Sequence, residues 1–429
     1  MINFFSFVTE HWQFCLLHFL EFGIWGAWFV VLGNILDARG FSRAEIGRIY
    51  GTIPIGTMIS IIAVGALVDR YLETQHVIAV SHLIGGLLLL VMARTYRPWP
   101  FFGLSLAYAI FFAPTLGLVN SIIFAHDDDI FGGAATEGFP WIRVFGTIGW
   151  IIAGLSHALI LKKNAPVDSR PIYLAAGLSF VLAAFAVTLP STPPQGPSET
   201  GIGLVEGTLG MISSNPIFFL VTVVAAMAMG LYFAFAALFL EKTGVPSRTV
   251  GPVMTLGQWI EIFFMLMLPT FLGPDNVRMN LVLGIGIFAW ALRFVLFAIG
   301  RPLALVLAGI AIHGICFDFF FAAGFINADL IAPEDLKATA QGVYGFLVYG
   351  LGMYLGSEAA GWLNQACTQR TVDDAGVEAA PAAAGDAVLV ADGDEAAIAS
   401  QTDQTNWRLF WSIPAGVVAV GAVLFVLLR

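Results

Sequence analysis

Twelve long apolar stretches constrain the fold of this 429-residue chain more than any other feature. A helix needs about 20 mostly apolar residues to cross about 30 Å of hydrocarbon, because each residue adds about 1.5 Å. Such stretches lie at 12–38, 45–68, 75–93, 99–124, 140–161, 171–190, 216–240, 250–272, 279–299, 302–325, 338–364 and 407–428. The pattern predicts an all-α polytopic membrane protein with twelve transmembrane helices.

The composition agrees with this fold class and excludes several others. Only 11% of the residues are charged and 58% are hydrophobic, whereas soluble domains carry about 25% charged residues. The net charge of −10 argues against a protein that binds nucleic acid. Three scattered cysteines are too few for a disulfide framework or a zinc site. No basic segment precedes the first stretch, so we expect a retained span rather than a signal peptide.

The stretches fall into two groups of six. A segment rich in Pro, Gly and Ser separates the groups, so we expect an N-terminal half at 1–190, a cytoplasmic linker at 191–215 and a C-terminal half at 216–429. An Ala- and Gly-rich extramembrane loop is predicted at 365–405. It holds most of the excess negative charge, so the acidity does not indicate a negatively charged pore. Two six-helix halves are typical of transporters that bind substrate between the halves.

Three acidic residues lie deep inside apolar stretches, where a charge costs about 2.5–3.5 kcal/mol and therefore needs a reason. Glu21 shares a helical stripe with Trp25, which suggests an acid facing a cavity; a hydrogen bond to a neighbouring helix is the alternative. Gln258 and Glu261 are three residues apart, so both can meet one ligand. Asp318 is surrounded by phenylalanines, which suits a proton carrier or a carboxyl buried in its neutral form.

Two arginines also lie within the stretches. Arg143 shares one helix face with Thr147 and Trp150, at offsets of four and seven residues. It either faces a cavity or extends to the membrane interface. Arg293 is predicted to pair with one of the buried acids or to form a separate structural ion pair.

The connection between the second and third stretches carries a motif of small and charged residues. Gly65, Asp69 and Arg70 resemble the cytoplasmic loop between helices two and three of the major facilitator superfamily. This resemblance implies the fold of that superfamily, with both termini in the cytoplasm. It also implies that Asp69 and Arg70 make contacts that break and reform as the halves move. Most basic residues then fall outside, which is the opposite of what the positive-inside rule predicts.

Six longer strings resemble the nucleoside:H+ symporter family of that superfamily. They are Trp25–Trp28, Pro114–Asn120, Phe139–Gly149, Trp290–Phe294, Phe317–Phe320 and Ala340–Gly342. The resemblance implies a central cavity lined from both halves. The substrate-binding set expected from it is Trp25, Asn120, Arg143, Thr147, Trp150, Gln258, Glu261, Phe317 and Asp318. The chain departs from the family at four positions: Gly230 and Phe233 replace two amides, His313 replaces a tyrosine, and Glu21 replaces a glutamine that is frequent in the first helix.

The resemblance implies a proton-coupled symporter that imports nucleosides by alternating access. Glu261, Asp318 and Glu21 are the candidate proton carriers, and the partners are a nucleoside or similar solute, protons and the lipid bilayer. We expect no cofactor, no metal, no nucleic acid and a monomer in a bacterial inner membrane. A carrier of sugars or another small polar solute, or a membrane sensor that does not transport, remains an alternative.

A membrane enzyme is disfavoured because no metal-ligand spacing, nucleophile elbow or phosphate-binding glycine loop appears in the sequence. The string His126–Asp129 is the one place that resembles a metal site, and it is interpreted as a solvated loop.

Overall fold

The computed structural model describes residues 4–60, 72–128, 130–133, 135–193, 203–273, 277–333, 337–371 and 402–428. The helices of the first part of the chain are α1 Phe4–Glu10, α2 Trp12–Trp28, α3 Leu32–Ala38, α4 Arg43–Tyr50, α5 52–60, α6 Thr74–Ala93, α7 Pro98–Phe124, α8 Ala135–Ile160 and α9 Arg170–Ala186. Those of the second part are α10 Gly203–Ser214, α11 Pro216–Lys242, α12 Ser247–Leu272, α13 Met279–Ile299, α14 Leu303–Ala311, α15 His313–Cys316, α16 Ala323–Ile331, α17 Lys337–Gly345, α18 Met353–Ala366 and α19 Trp407–Leu428.

All twelve predicted stretches contain helix. Within the described ranges, nine helices are long and apolar enough to cross a membrane. The other three stretches fall short for separate reasons. The second stretch includes residues past 60, which lie outside the described ranges. The sixth corresponds to α9, which has only 17 residues. The eleventh consists of α17, a π-helical turn at Phe346–Gly352 and α18, and is not among the nine.

Large apolar side chains cover the outside of the bundle. Leu159 is 86% exposed, and Leu281, Phe288 and Val426 are each at least 60% exposed. Soluble proteins rarely expose contiguous apolar surface of this kind, because it costs free energy in water. The helices therefore present a surface suited to lipid, as the sequence predicts.

Glycines allow the helices inside the bundle to approach closely. A Cβ atom at Gly149 on α8 would lie only 3.0 Å from the Cα of Phe19 on α2. On α18, a Cβ at Gly356 would lie 2.6 Å from the Cα of Met227 on α11. Small residues have this role at membrane helix contacts, where close van der Waals packing replaces the hydrophobic effect.

The first six and the last six stretches contact each other strongly at one end of the bundle. There α3 and α4 pack against α11 and α18. Asp37 at the end of α3 forms ion pairs with Arg43 and, at 3.0 Å, with Lys242. The side-chain amide of Asn34 donates to the carbonyl of Ala237 at 3.3 Å. We call this region of α3, α4, α11 and α18 the packed end.

Two predicted loops contain secondary structure at their margins. The linker predicted at 191–215 includes helix α10. The loop predicted at 365–405 begins within α18 and continues into strand β1 Thr368–Thr371, which pairs antiparallel with β2 Thr402–Thr405. The acidic segment between these strands lies outside the described residues. The division into halves at residues 190 and 216 stays a prediction.

Candidate substrate-binding site

A cavity of about 600 Å³ lies between the two groups of helices. In the first group, α2, α5, α7 and α8 line it. In the second group, the lining comes from α11, α12, α15 and the segments around two π-helical turns, Phe317–Ala322 and Phe346–Gly352. Its walls include the last turns of α5 and α7 and the first half of α8. The cavity therefore extends away from the packed end, toward the end of the bundle where the described part of α5 ends and α6 begins.

Eight of the nine residues predicted to bind substrate line this cavity. They are Trp25, Asn120, Arg143, Thr147, Trp150, Gln258, Glu261 and Phe317. They come from five separate elements, so the tertiary structure brings together residues as far apart in sequence as 25 and 317. Their role as substrate ligands stays a prediction.

Asp318 is the exception, because it is fully buried and does not line the cavity. Phe317 and Asp318 begin the π-helical turn Phe317–Ala322, and successive residues on a helix point in different directions. Phe317 therefore faces the cavity while Asp318 does not. Both carboxyl oxygens of Asp318 lack a hydrogen-bond partner among the described residues. Asp318 therefore lies outside the cavity wall in this structure, and its role in substrate binding stays a prediction.

Arg143 faces the cavity and does not extend to the membrane interface. Its guanidinium lies over the ring of Phe22, 4.1 Å from the centroid. A Cβ atom at Gly146 would be 2.9 Å from a terminal nitrogen of Arg143, so this glycine leaves room for the guanidinium. Within the described ranges, Arg143 has no carboxylate at ion-pair distance. Its charge is therefore available to a ligand.

An aromatic wall lies one to two turns farther along α8. The rings of Trp25 and Trp150 meet edge to face at 5.4 Å, and Phe233 lies 6.3 Å from Trp150. Gly26 makes this arrangement possible, because a Cβ there would lie 2.9 Å from the ring of Trp150. Phe233 thus brings an aromatic ring where an amide was expected. Gly230 does not line the cavity; a Cβ there would meet the backbone nitrogen of Ser357 at 3.0 Å.

The opposite wall combines polar and ionisable groups. Glu261 is 7% exposed, and its Oε2 lies 3.6 Å from Nε2 of His313. Gln258 lies one turn before Glu261, and its side-chain oxygen has no hydrogen-bond partner among the described residues. The cavity therefore presents an acid, an amide and an imidazole opposite a cation.

Glu21 is buried beside the cavity and not in its wall. One carboxyl oxygen lies 2.8 Å from Nε2 of His82, and the other accepts a hydrogen bond of 2.7 Å from the hydroxyl of Thr115. These contacts join α2 to α6 and α7. The expectation that Glu21 faces the cavity is wrong, and the alternative of a hydrogen bond to a neighbouring helix describes it correctly. A helical stripe shows which residues share a face but not which neighbour that face meets.

The contacts of Glu21 predict a structural effect of its replacement. We expect Glu21→Leu to lower the free energy of unfolding by about 1–3 kcal/mol, because His82 loses its partner and Thr115 loses one of two. Glu21→Gln retains an acceptor for Thr115 and a polar group beside His82, so it is expected to cost much less. Thermal unfolding of the purified variants measures both effects. If Glu21→Leu unfolds at the wild-type temperature, the structural assignment fails.

Arg293 forms neither of the two predicted interactions. Its guanidinium lies over the rings of Tyr232 and Trp290, at 4.3 and 4.6 Å, and its Nε donates to the carbonyl of Gly309 at 2.9 Å. Among the salt bridges of the described part of the chain, none involves Arg293. The expected ion pair is therefore wrong, because aromatic faces and a carbonyl surround this cation instead.

Several cavity residues were missed in the sequence. Phe22, Thr57 and Tyr349 line the cavity, and His18 holds Asn120 through a contact of 3.0 Å between Nε2 and Oδ1. Phe22 alone had an available signal, since it lies three residues before Trp25. Tyr349 lies in a π-helical turn, where the ordinary helical period does not apply.

Two further expectations concern loops. Gly65, Asp69 and Arg70 lie outside the described residues. Of the string 126–129, residue 129 also lies outside them. In the ranges that the structure describes, no group of three or more His, Cys, Asp and Glu residues is arranged to hold a metal ion.

Residues 9–429 match the family model described as nucleoside H+ symporter. The chain belongs to this family. The resemblance carried by the six sequence strings is thereby confirmed. The nucleoside H+ symporter family consists of transporters, so the chain is a multi-pass membrane transporter and not an enzyme.

Individual relatives of the chain agree with the family assignment. The chain is 36% identical to YegT of Escherichia coli, over 80% of this chain and 82% of that protein. It is 29% identical to the nucleoside permease NupG of Escherichia coli, over 84% and 90% of the two chains. A crystal structure of a NupG mutant superposes with a TM-score of 0.80 at 25% identity, covering 97% of this chain and 99% of that one. These similarities confirm the major facilitator fold.

Proposed function

We propose that this protein imports nucleosides together with protons by alternating access. The observation that supports this most directly is the composition of the cavity. A volume of about 600 Å³ is within the usual range for a small-molecule site, and aromatic faces stand opposite hydrogen-bonding groups there. A nucleoside likewise combines an aromatic surface, its flat base, with hydrogen-bonding groups on its sugar. The permease NupG, which this chain resembles in sequence and fold, is named for nucleosides.

The aromatic and the polar side chains of the cavity have different roles in the proposed binding of a nucleoside. The rings of Trp25, Trp150 and Phe317 provide faces on which a base can stack. Arg143 and Gln258 supply donors whose existing contacts leave them available to the polar edge of the base or to sugar hydroxyls. Specificity follows because a ligand without matching polar atoms would leave these groups desolvated and unpaired.

Glu261 is the proposed proton carrier at the substrate. A bare carboxylate in a low-dielectric occluded state costs several kcal/mol, and protonation removes this cost. Asp318 is the second candidate, because it is buried with both oxygens unpartnered among the described residues. Glu21 is not part of this proposal, since His82 and Thr115 already hold its oxygens.

We propose that the structure represents an inward-facing state. The helix groups contact each other at the packed end, while the cavity extends toward the end where the described part of α5 ends and α6 begins. If the connection at 61–71 is cytoplasmic, both termini are cytoplasmic too, and the cavity faces the cell interior. Return to the outward-facing state would then break the ion pair between Asp37 and Lys242. We place the protein as a monomer in a bacterial inner membrane.

Replacing Glu261 with glutamine tests the coupling role. Glutamine keeps the size and polarity of the side chain but cannot carry the proton. We therefore expect Glu261→Gln to abolish uphill accumulation of uridine driven by an imposed pH gradient in proteoliposomes. Exchange of uridine at equal concentrations on both sides does not need net proton movement and should continue.

The control for this experiment is Glu10→Gln, because Glu10 is exposed at the end of α1, away from the cavity. It should accumulate uridine as the wild type does. The coupling role is refuted if Glu261→Gln accumulates uridine with unchanged pH dependence.

A carrier for another small polar solute is the second candidate, and Phe233 is the observation that favours it. This ring gives the α11 wall an aromatic surface where the family resemblance implies an amide. A competition panel of nucleosides, nucleobases and sugars against labelled uridine separates the two candidates. Binding of uridine without any uptake would indicate a sensor instead.

A further inference from the structure

His313 and Glu261 are held next to each other in the wall of the cavity by two glycines. Gly257 lies on α12, and a Cβ there would be 2.8 Å from the Cβ of His313. Gly314 lies on α15, and a Cβ there would be 2.8 Å from the backbone nitrogen of Glu261. Any larger residue at either position would separate the two helices. The backbone is therefore shaped to place this imidazole beside this carboxyl group.

The imidazole of His313 is fixed by aromatic rings on both sides. It stacks on Tyr232 at 5.5 Å and on Phe317 at 5.8 Å, with an interplanar angle of 25° in each case. Its Nε2 points to Glu261 at 3.6 Å, and its Nδ1 has no hydrogen-bond partner among the described residues. His313 is 2% exposed and lines the cavity. The His313 ring thus directs Nε2 toward the carboxyl group of Glu261, and among the described residues no hydrogen bond to Nδ1 fixes this orientation.

The ionisable groups around His313 come from three neighbouring elements and its own. Glu261 faces it from α12, Tyr232 from α11 and Arg293 from α13. Its own helix α15 ends at Cys316 and continues into the π-helical turn Phe317–Ala322, which carries Asp318. The sequence of α14 holds no ionisable side chain. Arg293 disfavours a second positive charge nearby, while Glu261 favours one. The acid and the base are thus suited to hold a single proton between them.

We propose that His313 and Glu261 act as one proton-sharing pair, in which His313 positions the transported proton beside the substrate. This inference rests on the proposed function. One proton enters from the outside and bonds either to Nε2 of His313 or to Oε2 of Glu261. Both forms have no net charge, so both can pass through an occluded state in low dielectric. The same proton leaves to the cytoplasm, and no other bond changes.

The pair predicts a pH dependence that the carboxyl group alone would not have. A proton shared between two sites is held more strongly than a proton on one, because the ion-paired form with protonated His313 beside the carboxylate adds to the form with protonated Glu261. We expect His313→Gln to move the alkaline limb of uridine uptake to lower pH by about one unit. His313→Tyr preserves an aromatic ring between Tyr232 and Phe317 but has no comparable base, so it should cause the same shift.

The experiment uses the full-length protein in proteoliposomes with uridine and an internal pH-sensitive dye. Uridine exchange, which needs no net proton movement, shows that each variant is folded and binds substrate. The matched control is His157→Gln, because His157 is also buried but bonds only a backbone carbonyl, that of Ala27 at 2.7 Å. We expect the control to keep the wild-type pH profile. In a Glu261→Gln background, where proton-driven accumulation is already lost, adding His313→Gln should not change the pH dependence of uridine exchange.

The outcomes separate this inference from the proposed function. If uridine moves no protons even through the wild type, the proposed function fails. If the wild type couples uridine to protons but both His313→Gln and His313→Tyr keep its pH profile, the proton-sharing pair is refuted. An equal shift in His157→Gln would also refute it, because the effect would then not require contact with Glu261.

Discussion

Replacing Arg143 with glutamine is expected to weaken uridine binding by about 10- to 100-fold. Hydrogen bonds to a charged group contribute about 1.5–3 kcal/mol, and each 1.4 kcal/mol changes an equilibrium constant tenfold. Arg143 lines the cavity, lies over Phe22 at 4.1 Å and has no carboxylate at ion-pair distance in the described part of the chain. No partner inside the protein therefore competes with a ligand for its donors. Calorimetric titration of the purified variant with uridine measures the change.

Two further variants distinguish a ligand contact from a general loss of folding. Arg94→Gln is the matched control, because Arg94 is exposed and does not line the cavity; its guanidinium lies over the ring of Tyr173, 5.8 Å from the centroid. It should bind uridine as the wild type does. Arg143→Lys keeps the charge but loses the planar fork of donors, so we expect intermediate affinity. Wild-type affinity in Arg143→Gln would show that this guanidinium does not touch the substrate.

Replacing Gly47 with leucine is expected to stop uptake by holding the packed end apart. A Cβ atom at Gly47 on α4 would lie 2.6 Å from the Cα of Gly361 on α18. Real side chains essentially never come so close to a backbone atom, so α4 and α18 must separate. The protein could then no longer adopt the proposed inward-facing conformation, in which the packed end is closed. Uridine uptake in proteoliposomes should fall to background.

Labelling shows whether the lost activity reflects a shift in conformation. Thr57 lines the cavity, so a cysteine introduced there reports from which side water reaches it. In the Gly47→Leu background we expect a membrane-impermeant maleimide to reach this cysteine from the side of the packed end. Gly177→Leu is the control, because a Cβ at Gly177 would have no atom within 4 Å. Normal uptake by Gly47→Leu would refute the role of this contact in gating.

The chemical character of the substrate cavity was predictable from the sequence because ionisable residues are so rare in these helices. Arg143 and Glu261 stand out in apolar surroundings, and the helical period then assigns Thr147 and Gln258 to the same faces. All four line the cavity. A polar residue in lipid needs a polar environment, and a central cavity is the commonest one that a bundle of this size provides.

The same reasoning gave wrong predictions for charged residues whose role depends on side chains of adjacent helices. Glu21 is as isolated in the sequence as Glu261, yet it is bonded to His82 and Thr115. Arg293 was expected to find an acid and instead lies between aromatic rings. Helical period determines which residues share a face, but not how each helix is rotated within the bundle. That rotation is set by long-range packing.

The sequence by itself determined the fold class, because twelve apolar stretches of membrane-spanning length leave helices as the main way to satisfy their backbone groups in lipid. It also determined the family, through strings of residues in matching order. Only the tertiary structure decided which buried acid lines the cavity. The pair of His313 and Glu261 depends on glycines in two helices that are distant in sequence, so the close approach of their backbones exists only after the helices have packed together.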